Sequence, residues 1–350
     1  MGRKRRRKLV GSTVLCWLVA EQAGAAGLTV LERYPVCEVS AALPVPCLDG
    51  DRRCVWVGDN EHDKSLFEYA VAADGRLAPS GHWKISLGKA KVGDVEALAA
   101  DGRDVLVFGS HSRDSRCGRQ PERATVARVE REPLRATLLA SGAGWTDALA
   151  RCEGGLIEIA ADDPAAALRR DVCAAIADAE AAADAGSAGG VCRGDAFNVE
   201  GAVTVPGVDG TPRVWLGLRG PLAGGRAVLL RLVPGLVRGG TLTFDGVALV
   251  DLGGRGVREL TLADGSLWGI AGSVADSEQP SRLWRMPASA LASGATITAV
   301  EWLHDALPPT SEGLVVEAAA RRVVVLADGD TDKKKKRCAE PARQLVLPLP

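Results

Sequence analysis

The feature that most constrains this chain is a strand unit that recurs. A short apolar run enters, often behind a charged residue, as in VEALAA, VEGAVTV, RELTLA and EGLVVE. A polar turn follows (DGRD, GVDGTP, ADGS, AARR), and a second run ends in glycine and polar residues (GSHSR, GLRGP, AGSVAD, ADGD). A third and a fourth run, such as AVLLRLV and VALVDL, close most units. Each run has strand length and is bounded by turn residues, and long amphipathic helices are nearly absent. The start points Val199, Arg258 and Glu312 lie about 55 residues apart. Four antiparallel strands at such a spacing describe a propeller blade, a unit that buries its two faces only by stacking on its neighbours. The expected fold is all-β: a β-propeller of five blades, with six as the alternative.

The first unit reads EVSAALPV, CVWVGDN, SLFEYAV and HWKISL, and it lacks the acidic opening. Residues 141–195 break the pattern. There DDPAAALRRDVCAAIADAEAAADAG predicts one helix, with Asp163 as N-cap, Pro164 in the first turn and Gly186 near the end. It is expected as an insertion between blades two and three, and a sixth, degenerate blade would have to hide in it. The last unit is interrupted by DGDTDKKKKRCAEPA and closes with RQLVLPLP, supplemented by LTVLERY from the N-terminal side. That exchange joins the ends of the ring and leaves few open sheet edges.

Six basic residues, Arg3 to Lys8, precede an apolar run from Leu9 to Ala20, and Ala23-Gly24-Ala25 follows. Charged, apolar, then small is the layout of a secretory signal peptide, and about a dozen apolar residues are too few to span a bilayer. The domain reading is a signal peptide over 1–25 and a single propeller domain with its insertion over 26–350. The location expected is periplasmic or extracellular, with no transmembrane segment after cleavage. Removing residues 1–25 takes away six positive charges and Glu21, so a net charge of −1 becomes −6. A mildly acidic protein is a poor partner for nucleic acid. Eight cysteines remain once Cys16 leaves, an even number that suits disulfides in an exported chain. Cys47 and Cys54 flank the turn LDGDRR and can face each other across a hairpin.

In an antiparallel pair the start of one strand lies beside the end of the next. The topology therefore gathers residues remote in sequence onto one rim. Glu96, Glu200, Arg258, Glu259 and Glu312 stand at first-strand starts, with Asp94 two residues before Glu96. Asp59, Asn60, His111, Arg113, Arg219, Asp276 and Asp328 stand at second-strand ends. Carboxylates with asparagine and backbone carbonyls suit a hard cation such as calcium, for which Glu96, Glu200 and Glu312 are the candidate ligands. Arginines in a fork clamp phosphate or carboxylate groups. On this reading Asp94, Asn60, Arg113, Arg219, Arg258 and Asp328 contact a ligand. Glu96, His111, Glu200 and Glu312 are the catalytic candidates, because a crowded acidic site raises carboxylate pKa values and His111 could share acid–base work.

The motifs GSHSR (109–113), NVEG (198–201) and GLRGP (217–221) resemble those of bacterial exported proteins of the domain-of-unknown-function family numbered 3616. The similarity runs from about Val55 to Asp330. It implies a propeller-like β fold and no established reaction.

Three functions suit such a rim. One is a metal-dependent hydrolase, phosphoesterase-like, acting on an anionic substrate. Another is a non-catalytic module that binds a cation, a small anion, a glycan or a protein. The third is structural, with Glu–Arg pairs tying blades together, since a buried carboxylate must be paired or ligated. The chain has no G-x-S-x-G elbow, no H-E-x-x-H and no G-x-G-x-x-G between a strand and a helix, which lowers serine hydrolases, zinc proteases and dinucleotide enzymes. Trp56, Trp215, Trp268 and Trp284 fall in strands and read as blade packing, and lysines 333–336 as a solvated loop.

Overall fold

The computed structural model describes residues 27–31, 36–50, 52–142, 164–189, 196–238, 241–275, 278–332 and 337–349. In it the recurring runs form five antiparallel meanders set radially about one axis. Strand β1 (Thr29–Val30) comes first in the chain but last in its blade. Blade 1 is β2 (Val39–Pro46), β3 (Arg53–Asp59), β4 (Ser65–Val71) and β5 (Leu77–Ser86). Blade 2 is β6 (Val95–Asp101), β7 (Asp104–Gly109), β8 (Thr125–Arg131) and β9 (Leu134–Ser141). Helix α1 (Pro164–Gly189) intervenes. Blade 3 is β10 (Asn198–Pro206), β11 (Pro212–Gly220), β12 (Ala227–Arg238) and β13 (Thr241–Val250). Blade 4 begins with β14 (Gly256–Ala263), β15 (Ser266–Gly272) and β16 (Ser281–Pro287). The next strand, β17 (Thr296–Ile297), instead pairs parallel with β13 of blade 3, and β18 (Glu301–Leu307) completes blade 4. Blade 5 starts with β19 (Ser311–Glu317) and β20 (Arg322–Ala327). After a hairpin of β21 (Asp330–Asp332) and β22 (Arg337–Glu340), it continues with β23 (Arg343–Pro348), against which β1 lies.

The closure is direct. The inner strands touch in the cycle β2, β6, β10, β14, β19 and back to β2. Five apolar layers fill the gaps between successive blades. One holds Trp56, Leu66, Val95 and Val107 between blades 1 and 2, and another Val39, Phe67, Val315 and Leu326 between blades 5 and 1. Trp56, Trp215, Trp268 and Trp284 are all buried in these layers, as blade packing requires. Burial of each large side chain contributes on the order of 2 kcal/mol. The ends meet as expected, with β23 as the third strand of blade 5 and β1 as the fourth, which pairs Thr29 with Gln344. Blade 4 takes its fourth strand from Glu301 onward, while Thr296–Ile297, just before it in the chain, covers the edge of blade 3. An open edge invites pairing, and two residues of passing chain suffice to cover this one.

Turn chemistry explains the tight inner hairpins. Ala263 pairs with Ser266 around Asp264 (φ 48°) and Gly265 (φ 69°), both left-handed as a two-residue type I′ turn demands. Close approach explains other glycines near the axis. A Cβ on Gly217 would lie 2.6 Å from Val257 Cγ1 of the next blade. Helix α1 lies between blades 2 and 3 and buries Val172, Ile176, Ala179 and Ala183, one face at helical spacing. Its proposed cap Asp163, the signal-peptide stretch, Asp276 and lysines 333–336 lie outside the described residues.

The expected Cys47–Cys54 disulfide is present across the β2–β3 hairpin, with a Cα separation of 4.9 Å. A second, Cys37–Cys338, links residues 301 positions apart, and Cys117 and Cys173 are also disulfide-bonded. No helix among the described residues is long and apolar enough to cross a membrane.

Candidate functional site

All five inner strands share one irregularity. In each, the register against the second strand slips by one residue at the same place. The residue left over is Ser40 in β2, Glu96 in β6, Glu200 in β10, Arg258 in β14 and Glu312 in β19. Such a bulge re-aims a side chain that regular pleating would send into a blade face. Five bulges at one level of a closed ring put four charged residues and a serine round the axis. All five are buried. The acidic strand openings are thus one position of a fivefold repeat, and Ser40 is its neutral member. Aligning EVSAALPV on VEALAA would have found it.

Order round the ring decides who pairs with whom. Arg258 stands in blade 4, flanked by blades 3 and 5, and it pairs with both neighbours. Its Nε lies 2.9 Å from Glu200 Oε2, and its Nη2 contacts Glu312 Oε1. Arg258 therefore occupies the place between Glu200 and Glu312 that a cation would take. Arg219 adds a second contact to Glu200, Nη1 to Oε1 at 3.0 Å, and Asn198 donates to the same oxygen at 3.0 Å. Burial pulls the Arg258 guanidinium below its ordinary value, and Glu200 draws it back up.

Glu96 has no such partner. Its ring neighbours are Glu200 and Ser40, and the Ser40 hydroxyl donates to the Val95 carbonyl instead. Glu96 is 6 % exposed, and its Oε2 has no hydrogen-bond partner. Burial raises its pKa well above the usual carboxylate range, and the charges of Asp94, Glu200 and Asp328 add to that. Asp328, in the link after β20, is raised likewise, by burial first and then by Glu38, Asp59 and Glu200 against the pull of Arg258. Its Oδ1 is also buried without a partner, as is Oδ1 of Asn60 at the end of β3. Asp59 accepts backbone N–H groups from Cys37 at 2.8 Å and Glu61 at 2.9 Å, yet burial still raises its pKa to about 6.

Other rim candidates are engaged elsewhere. Asp94 accepts Ser110 Oγ at 2.5 Å and Ser112 Oγ at 3.2 Å, and it pairs with Arg123 at 3.1 Å. Arg113 points away from the ring to α1, with Nη2 2.6 Å from Glu180 Oε2 and Nη1 2.6 Å from Asp184 Oδ1. It anchors the insertion, a role invisible without knowing that α1 folds back onto blade 2. His111, in a left-handed conformation (φ 57°), packs edge-to-face on Phe197 at 6.4 Å, and burial pushes its pKa well below the ordinary value. Glu259, next to the bulge, is fully enclosed and accepts the N–H of Ala42 at 2.9 Å and of Leu260 at 2.8 Å. Among the described residues no three His, Cys, Asp or Glu side chains are arranged to hold a metal ion. What the site offers is hydrogen-bond acceptors: Glu96, Asp328, Asn60 and Asn198 present oxygens without donors, and Glu200 Oε2 meets Arg258 only as an ion pair.

Residues 191–333 match the family described as protein of unknown function (DUF3616), a narrower stretch than the motifs suggested, taking in NVEG and GLRGP but not GSHSR. No curated protein matches the chain. Among solved structures, it is similar to a putative oxidoreductase (glucose dehydrogenase) of Thermus thermophilus at 15 % identity, covering 92 % of this chain and 100 % of that one with a TM-score of 0.42. It is also similar to the six-bladed lectin of Aleuria aurantia at 10 % identity, covering 83 % and 72 %, with a TM-score of 0.34. Neither likeness bears on what this chain binds.

Proposed function

We propose that this chain, with a family signature over residues 191–333 and no reaction attached to it, is an exported binding propeller. Its axial rim takes a small cationic ligand, a hard metal ion or an ammonium group, against Glu96 and Asp328. The observation that carries this is the buried Glu96 Oε2, left without a donor in a ring whose other two glutamates share Arg258. A buried acceptor without a partner costs roughly 1–3 kcal/mol, and a ligand that supplies a donor or a positive charge recovers it. Surplus acceptors favour a cation over the anion that the rim arginines first suggest, because Arg258, Arg219 and Arg113 are already spent on protein carboxylates. Binding is favoured over hydrolysis because His111, the only histidine among the rim candidates, is a weakened base packed on Phe197.

Burial favours the neutral form of Glu96, so a bound cation must displace its proton. Affinity then rises with pH. The test is the melting temperature with calcium, magnesium or putrescine at several pH values. The expected result is a rise with at least one of them, larger at higher pH and lost in Glu96→Gln. No shift with any probe, or an equal shift in Glu96→Gln, would sink the reading. Hydrolysis of generic phosphate esters, abolished by Glu200→Gln, would instead favour the phosphoesterase.

A further inference from the structure

The opposite end of the blades carries a cleft of the other polarity. Between blades 5 and 1 lies a cavity of about 440 Å³, lined among others by Arg52, Arg53, Ala70, Val71, Glu317 and Arg322. That volume falls within the usual range of small-molecule pockets. Glu312 opens β19 and Glu317 ends it, so the cleft lies about 16 Å along the strand from the ring.

The donors there are unevenly spent. Glu317 is 3 % exposed and serves two arginines: Oε1 takes Arg53 Nη2 at 2.5 Å, and Oε2 takes Arg322 Nε. Arg322 is then used up, since Nη1 donates to the Ala73 carbonyl at 2.8 Å and Nη2 to that of Ala72 at 3.4 Å. Arg53 is held by that single nitrogen, and its side chain remains 60 % exposed at the mouth. Arg52, 62 % exposed, is paired through one nitrogen with Asp49. Among the described residues here, Asp49 and Glu317 against Arg52, Arg53 and Arg322 leave one positive charge. Arg53 is thus a guanidinium oriented by a buried carboxylate through one Nη2 hydrogen; its second Nη2 hydrogen and its Nη1 remain for one paired donor edge, beside an aliphatic wall of Ala70 and Val71.

We propose that this cleft binds a small oxyanion-bearing molecule, a carboxylate or phosphate monoester, with Arg53 as its clamp and Glu317 as the residue that positions Arg53. A fork of two parallel N–H donors matches a carboxylate or phosphate edge, and a guanidinium already fixed by one nitrogen loses less freedom on binding. The site shares no residue with the axial rim and does not depend on the cation reading.

Calorimetric titration of the full protein with inorganic phosphate and, separately, succinate tests it. Saturable binding of at least one probe is expected, weaker by about tenfold or more in Arg53→Gln. Arg53→Lys should fall between the two, because it keeps the charge and loses the fork. Arg76→Gln, at an exposed arginine outside the cleft, should bind as the native protein does. No saturable binding of either probe would overturn the proposal. So would Arg53→Gln binding within tenfold of native, or an equal loss in Arg76→Gln.

Discussion

Glu259 of blade 4 accepts the backbone N–H of Ala42 in blade 1 at 2.9 Å, a contact between blades that are not neighbours in the ring. The side chain must therefore cross the axis. Inner strands of a propeller present an unpaired edge to the channel, and Glu259 covers part of it with one oxygen on Ala42 and the other on Leu260. A carboxylate that the sequence placed at a strand start on the rim acts as a plug.

Replacing that plug should be costly. Glu259→Ala leaves two enclosed N–H groups without acceptors, which predicts a loss of about 2–5 kcal/mol in denaturant unfolding. Glu259→Gln keeps one acceptor oxygen and should lose less. Equal stability of Glu259→Ala and the native protein would show that water fills the channel in its place.

The shared cation of the ring gives a second expectation. Arg258→Met leaves Glu200 and Glu312 facing each other at a buried position, with only Arg219 to help Glu200. Removing one partner of a buried pair costs about 3–5 kcal/mol. The deficit should shrink as pH falls, because unpaired buried carboxylates gain protons in the folded state and their destabilisation appears only as pH rises. Urea unfolding of both proteins between neutral and mildly acidic pH measures this, and a deficit independent of pH would contradict it.

Asp59 should leave a mark on the pH dependence of stability. Its folded pKa is raised from 3.8 to about 6, by burial against the opposing Cys37 N–H. The contribution is fully present below about pH 3.8 and is lost as pH rises through about 6. The native protein should therefore lose on the order of 3 kcal/mol of this contribution across that window. Asp59→Asn removes the titration, so the difference between native and variant unfolding free energies should change over this interval and be flat above it. A difference that does not vary with pH would refute the assignment.

The seam between blades 5 and 1 offers a further check. Gln344 of β23 accepts the Leu77 N–H at 2.8 Å and donates to the Leu77 carbonyl at 3.2 Å, so a side chain completes a backbone pairing between blades. Gln344→Ala leaves both groups buried and unpaired and should cost about 2–4 kcal/mol. Native-state hydrogen exchange should show the loss first at Leu77. Unchanged protection there would mean that the seam is held by its apolar layer alone.

The strand repeat, the turns, the helix between blades 2 and 3, the Cys47–Cys54 bridge and the strand exchange that closes the ring were all legible in the sequence. Each depends on a local pattern: alternating apolar residues, Asp-Gly turns, or a run of helix formers behind a proline. The level shared by Glu96, Glu200, Arg258 and Glu312 was legible too, because strand starts recur at one spacing. The partners of these residues were not. Arg258 meets Glu200 and Glu312 because blades 3, 4 and 5 are adjacent, and Glu96 goes unpaired because its ring neighbours are Glu200 and a serine. Arg113 belongs to α1 because the insertion packs back onto blade 2. Sequence determined where charges enter the strands, since that follows from hydrogen-bond periodicity within each unit. Only the closed ring decided which charges neutralise one another and which acceptor remains open, since Coulombic and hydrogen-bond energies depend on distance through space, and residues from separate blades become neighbours only when the circle closes.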